Sequence, residues 1–128
     1  MKKNTIALLR IGVALIFISH GAIRTYAGTV GGFGEFLGER GFPFGVALAW
    51  ATTVYEMAGG LLLALNRYTL LVTFGFALHQ VMGIILVHLN NGWFVVGHST
   101  GGMEYSFLLL LSLAVIAGHA FKKAASSN

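Results

Sequence analysis

The sequence predicts an all-α integral membrane four-helix bundle, and its composition and hydropathy pattern support this fold class. Of the 128 residues, 56% are apolar and only 9% are charged, too few to cover a water-soluble protein of this size with polar surface. The apolar residues form four segments, each about as long as a helix that crosses roughly 30 Å of hydrocarbon. Runs such as GGLLLAL and FLLLLSLAVIAG lack the period-two alternation of transmembrane strands, so helices are favoured.

The four segments follow one another with little sequence between them. They are predicted near Thr5–Tyr26, Phe44–Leu65, Thr69–Leu89 and Met103–Phe121. The single proline, Pro43, falls just before the second segment, where the first turn of a helix tolerates it. No boundary is visible along the chain, so residues 1–128 are predicted to form a single domain.

The distribution of basic residues predicts the orientation in the membrane. They lie before the first segment, between the second and third, and after the fourth: Lys2, Lys3, Arg67, Lys122 and Lys123. Because the chain crosses the membrane four times, these three basic positions all lie on the same side. The positive-inside rule predicts that this side is cytoplasmic. Both termini are therefore predicted to be cytoplasmic, and the net charge of +4 mainly reflects topology. No aromatic-interleaved basic patch indicates a nucleic-acid partner.

The first outer connection, residues 27–43, shows a second kind of periodicity. Phe33, Phe36 and Leu37 recur at helical spacing, while Glu35 and Glu39 fall on other faces. This pattern predicts a short amphipathic helix on the outer surface, serving either as a lid or as an ordinary interfacial connector.

Five ionisable residues lie within or at the ends of the apolar segments: His20, Arg24, Glu56, His88 and Glu104. Such groups are rare in lipid and normally face a helix bundle, a partner or an aqueous cavity. The predicted topology brings four of them to the outer leaflet and places Glu56 about two turns deeper. A carboxylate at that depth must be protonated or paired, so Glu56 is predicted to function in catalysis or in pairing helices. For Arg24 and His88, exposure to headgroups or solvent is the alternative.

Several runs resemble the DoxX family of small four-helix membrane proteins, and the resemblance covers nearly the whole chain. They are LLRIGVALIFISHG, GFGEFLGERGFPFG, VYEMAGGLLLALN, VHLNNGWF and GGMEYSFLLLL. The resemblance implies a bacterial inner-membrane protein similar to subunits of membrane oxidoreductases, including thiosulfate:quinone oxidoreductase.

The favoured hypothesis is a redox-associated membrane subunit with a quinone-like ligand in the outer half of the bundle. Without cysteine, a redox role requires a bound cofactor. His20 or His88 would donate to the quinone carbonyls, Arg24 would favour the reduced anion, and Glu56 or Glu104 would relay protons. Aromatic residues would enclose the ring: Phe17, Trp50, Phe94 and Tyr105.

Three alternatives remain open at this point. Two histidines could bind haem iron, or histidine with carboxylate could bind a divalent metal, although no ligand-spacing motif is present. The polar residues could line a path for a proton or small solute, or they could simply lock the helices of an anchor or assembly subunit. The short outer loops favour an oxidoreductase partner or a homo-oligomer, and Gly12, Gly75 and Gly83 would permit close helix contacts. His79 is predicted to pack with Gln80 or Arg10, outside the site.

Overall fold

The computed structural model describes residues 3–126, and within them the chain is helical without strands. Five α-helices follow in order: α1 (Lys3–Tyr26), α2 (Val30–Glu39), α3 (Gly45–Ala64), α4 (Thr69–Gly83) and α5 (Glu104–Ala125). A π-helical turn, Ile84–His88, and a short 3-10 turn, Leu89–Asn91, continue α4. Lys2, one of the residues that predict orientation, lies outside the described residues.

Four helical segments are long and apolar enough to cross a membrane, which confirms the predicted class and the predicted spans. They are Asn4–Tyr26, Gly45–Ala64, Thr69–Asn91 and Glu104–Ala125. The largest difference from the predicted bounds is at the C-terminal end of the fourth span, which is Ala125 instead of Phe121. Lys122 and Lys123 end the apolar run, but lysine is a good helix former, so the helix continues past the hydrocarbon boundary.

The amphipathic helix predicted in the first connection is also confirmed, as α2. Leu37 is buried and Phe33 is half-buried, whereas Glu35 is exposed. Gly41, with φ of +87°, terminates the helix in a Schellman motif, in which the Phe42 N–H donates to the Leu37 carbonyl at 3.1 Å.

The chain divides into two compact units. The first unit is Arg10–Arg67, and the second unit combines Met1–Leu9 with Tyr68–Asn128. That residues 1–128 form a single domain stays a prediction.

In the first unit, α1 and α3 approach each other through small residues. A Cβ at Gly60 would lie 3.0 Å from the Ala14 carbonyl oxygen, and one at Gly21 would lie 2.9 Å from the Thr53 carbonyl oxygen. These contacts run in opposite directions along the two helices, which are therefore antiparallel. Gly60 and Gly21 thus admit the backbone of the neighbouring helix, since small residues permit such approach in membranes.

Helix α2 packs on α3 through a second glycine contact. A Cβ at Gly34 would lie 2.6 Å from the Val46 Cα, and one at Gly45 would collide with the Gly34 carbonyl oxygen. Because backbone faces backbone here, α2 is held close to the start of α3 with little space for a side chain.

In the second unit, α4 packs against α5. Val72 and Phe76 of α4 are buried, as are Leu109, Leu113 and Ile116 of α5. The α4–α5 loop, Gly92–Met103, joins the two helices and is described with the candidate site.

Gly21→Ala should lower the free energy of unfolding by about 1–3 kcal/mol, because the added methyl group meets the Thr53 backbone oxygen, which cannot swing away. Thermal unfolding in detergent measures the effect. Gly12→Ala is the matched control in the same helix, since a Cβ at Gly12 has nothing within 4 Å. Equal stability of the two variants would contradict the tight contact between α1 and α3.

Candidate functional site

The centre of the candidate site is an ion pair between α1 and α3. Arg24 Nη1 donates to Glu56 Oε2 at 2.6 Å, and Arg24 Nη2 donates to Glu56 Oε1 at 3.5 Å. The Glu56 side chain is 1% exposed and that of Arg24 is 18% exposed. The carboxylate of Glu56 is therefore paired, as a carboxylate at this depth was predicted to be. The guanidinium of Arg24 points toward it instead of toward the headgroups.

The antiparallel arrangement explains why these two residues meet although their positions along the helices differ. Side chains on an α-helix tilt toward its N-terminus. Arg24 lies near the C-terminal end of α1 and so reaches back along the helix, while Glu56 on α3 tilts toward the end where Arg24 starts. The two side chains thus lean toward each other. The depths predicted from the sequence put Arg24 and Glu56 about two turns apart, because they considered only the position of each residue along its helix and not the tilt of its side chain.

Thr53 and Phe33 complete the surroundings of the guanidinium, and neither was predicted. Arg24 Nη1 also donates to Thr53 Oγ1 at 3.0 Å, and this hydroxyl donates in turn to the Ala49 carbonyl at 2.8 Å. The Arg24 Cζ lies 4.7 Å from the centroid of the Phe33 ring, a cation–π contact contributed by α2. The available signals were the position of Thr53 one turn before Glu56 and that of Phe33 on the apolar face of α2.

The arrangement leaves hydrogen-bonding capacity on Arg24. A guanidinium has five N–H groups in a fixed fork, and the contacts with Glu56 and Thr53 use three. Among residues 3–126, the remaining N–H groups of Arg24 have no acceptor. The group can therefore donate to a ligand oxygen while it stays paired with Glu56.

Two other predicted ligand residues of the first unit do not join this cluster. His20 lies one turn before Arg24 on α1, but its side chain is exposed and makes no hydrogen bond or ion pair within the described part of the chain. Trp50, near the start of α3, is 48% exposed. Arg10 lies in the N-terminal half of α1, where its Nη2 donates to the Ala64 carbonyl at 3.4 Å. Its buried Nε has no acceptor among residues 3–126.

His88 and Glu104 lie in the second unit, and both bind the backbone of the α4–α5 loop. His88 Nδ1 lies 2.7 Å from the Gly101 carbonyl oxygen, which can only accept, so Nδ1 is the donor. Glu104 Oε1 accepts the Val95 N–H at 2.9 Å. The π-helical turn that ends at His88 widens the helix there and is a departure from the regular third span that was predicted.

The α4–α5 loop is a closed, strongly constrained structure. Four backbone hydrogen bonds of 2.9–3.1 Å join its two arms: Gly101 N to Val95 O, Gly102 N to Phe94 O, Met103 N to Gly92 O and Glu104 N to Trp93 O. Three glycines have positive φ: Gly92, Gly97 and Gly101. At Gly102 a Cβ would lie 2.5 Å from the Trp93 carbonyl oxygen, so only glycine fits. Tyr105, directly after the loop, is 40% exposed.

Most of the carboxylate and histidine groups predicted as ligands are engaged with other groups of the protein. Across residues 3–126, no group of three His, Asp or Glu side chains comes together to hold a metal. Glu56 is engaged with Arg24, and Glu104 and His88 Nδ1 are engaged with loop backbone. His79 is half-buried in α4, and its predicted packing with Gln80 or Arg10 stays a prediction.

Comparison with sequence models of protein families gives a match over most of the chain. The sequence model of the DoxX family matches residues 5–89, about two thirds of the chain. The matched region includes Arg24, Glu56 and His88, whereas Glu104 and Tyr105 lie beyond it. No curated protein and no solved structure is similar enough to match.

Arg24→Met should lower the free energy of unfolding by about 3–5 kcal/mol, because it leaves a buried carboxylate without its counter-charge. Adding Glu56→Leu in the same chain should recover most of this loss, since two apolar residues of similar size replace the pair. Denaturant unfolding of the single and double variants measures the coupling.

Glu39→Gln is the control, because this carboxylate is exposed on α2 and its loss should change stability by no more than about 0.5 kcal/mol. Additive effects of Arg24→Met and Glu56→Leu would contradict a direct interaction.

Proposed function

Because the chain belongs to the DoxX family of membrane proteins, we propose that it is a redox-associated subunit of a bacterial inner-membrane oxidoreductase. Its ligand would be a quinone or a similar apolar molecule with carbonyl oxygens. The observation that supports this most directly is Arg24, a guanidinium held by Glu56 and Thr53 between apolar helices with N–H groups still available. In the proposed orientation both termini are cytoplasmic, so this site lies in the outer half of the membrane.

The chemistry of a quinone head group suits this environment. Its carbonyl oxygens are acceptors, matching the remaining donors of Arg24, and its flat ring suits a site bordered by the Phe33 ring. The ion pair is neutral as a whole, which favours an uncharged ligand over an anion. A molecule of this kind reaches the site by diffusion within the lipid.

Each residue of the cluster has a task in this proposal. Arg24 donates a hydrogen bond to a ligand oxygen and stabilises negative charge on it. Thr53 and Glu56 fix the direction of the guanidinium, and Glu56 in addition transfers a proton to or from the ligand. A bound quinone supplies two-electron, two-proton redox chemistry, with the electrons exchanged with a partner oxidoreductase subunit.

The other residues predicted for the site lie outside the cluster of Arg24, Glu56 and Thr53. His20, one turn from Arg24 on the same helix, is proposed as a donor to the second carbonyl oxygen, and Trp50 as an aromatic contact. For His88, Glu104 and Tyr105 of the second unit, the roles expected from the sequence stay predictions.

A second candidate function, an assembly subunit, is supported by the same ion pair. Arg24 and Glu56 join α1 to α3 directly, so their presence could be explained by the need to hold these helices together. The two functions predict different results when the pair is replaced by apolar residues and the protein still folds. Quinone affinity should fall if the pair binds the ligand, and it should not change if the pair only joins the helices.

The double variant Arg24→Met, Glu56→Leu should bind a short-chain quinone about tenfold to a hundredfold more weakly, because a hydrogen bond from a charged donor is lost, about 1.5–3 kcal/mol. Titration of the protein in lipid nanodiscs gives the Kd, and mass spectrometry of lipid extracts reports any co-purified quinone. Glu39→Gln should bind as the unchanged protein does. An unchanged Kd in the folded double variant would refute the quinone site and favour the assembly role.

Glu56→Gln separates binding from proton transfer. The amide oxygen can still accept from Arg24, so insertion and most of the quinone affinity should persist, whereas the ionisable proton carrier is removed. Quinone-linked turnover in membranes that contain the partner subunit should therefore fall to background. Full turnover in this variant would exclude Glu56 as the proton relay.

A further inference from the structure

We propose that the α4–α5 loop lies in the interfacial region of the bilayer, among headgroups and upper acyl chains, instead of extending into water. Its partner is the lipid surface itself. This inference is independent of the redox proposal and rests on the composition, the position and the hydrogen bonds of the loop.

The loop exposes apolar side chains and is continuous with the membrane-spanning surface. Its twelve residues include no Asp, Glu, Lys or Arg. It begins directly after the span Thr69–Asn91 and ends directly before the span Glu104–Ala125. Near its tip Val96 is 76% exposed, and Trp93 and Phe94 are 44% and 42% exposed. Tryptophan and other aromatic residues are enriched where a protein crosses the membrane surface.

The position of Trp93 indicates that the loop lies beside α5. Its ring packs on the ring of Phe107, with 5.4 Å between centroids. Phe107 is in the first turn of α5 and is itself 46% exposed, so it belongs to the lipid-facing side of a span. Trp93 is therefore at the depth of that first turn, where hydrocarbon gives way to headgroups.

The base of the loop, residues 92–95 and 101–103 next to the two spans, pairs much of its backbone within the protein. In lipid every unpaired backbone N–H or C=O carries a penalty of about several kcal/mol, whereas in water the solvent provides a partner. The four bonds between the arms pair backbone with backbone, and the Val95 N–H and Gly101 carbonyl are paired with Glu104 and His88. Ser99 Oγ donates to the Phe94 carbonyl at 2.5 Å.

This inference also accounts for the presence of ionisable groups where the membrane begins. Glu104 and His88 are costly near hydrocarbon, yet each replaces water as the partner of a loop backbone group. The paired base of the loop is thus a prefolded structure that lipid can surround, with the exposed side chains of Trp93, Phe94 and Val96 as the contact surface.

The decisive measurement is the depth of Trp93 in the membrane. The chain contains two tryptophans, so Trp50→Phe leaves Trp93 as the sole reporter. In nanodiscs its emission should be blue-shifted. Lipids brominated near the carbonyl end of the acyl chain should quench it several-fold more than lipids brominated near the chain end, and iodide should quench it little. Red-shifted, iodide-accessible emission would overturn the proposal.

A second measurement reports on the tip without using fluorescence. Because the chain has no cysteine, Val96→Cys introduces a single thiol. A membrane-impermeant maleimide should label it several-fold more slowly in nanodiscs than a thiol at Ser126→Cys, which is exposed beyond the end of α5. Both faces of a nanodisc are open, so orientation does not affect the comparison. Equal labelling rates would overturn the proposal.

A matched pair of variants tests whether Glu104 holds the loop in lipid. Glu104→Gln keeps an oxygen that can accept the Val95 N–H and should leave the Trp93 spectrum unchanged. Glu104→Leu has a similar size but no acceptor, so the unpaired amide should draw the loop toward water and increase iodide quenching. Identical quenching in these two variants would show that Glu104 does not hold the loop in lipid.

Discussion

A charged or polar group surrounded by hydrocarbon must find its partner within the protein, and the Arg24–Glu56 ion pair is how the first unit meets that constraint. The pair requires α1 and α3 to run close together, which Gly21 and Gly60 permit. It also requires a shell that fixes the guanidinium, which Thr53 and the Phe33 ring provide. Helix packing, the position of α2 and the candidate chemistry therefore converge on one charge contact.

The second unit meets the same constraint in a different place. There the groups that need partners belong to the backbone of the α4–α5 loop, and the side chains of His88 and Glu104 provide them. An ionisable residue near a membrane is often interpreted as a sign of function. In this chain such residues serve two purposes, because one set pairs charge with charge while the other pairs with main chain. Contact geometry distinguishes the two, whereas residue type does not.

The elements that sequence could predict are those controlled by local pattern. Hydropathy located the four spans because a span has a required length, and the periodicity of Phe33 and Leu37 located α2. The need of Glu56 for a partner was also evident. The identity of that partner was not, because it depends on side-chain length and tilt in an antiparallel pair. The π-helical turn before Leu89 and the closure of the loop depend on hydrogen bonds between residues several positions apart, which periodicity does not describe.

The two side-chain hydrogen bonds that anchor the loop, from His88 and to Glu104, can each form in more than one charge state. A neutral His88 donates from Nδ1 to the Gly101 carbonyl, and a protonated imidazolium still carries that same hydrogen. A protonated Glu104 retains a carbonyl oxygen that can accept the Val95 N–H. Neither bond thus requires a particular charge state. The loop can therefore keep both side-chain anchors when the charge of the surface around it changes.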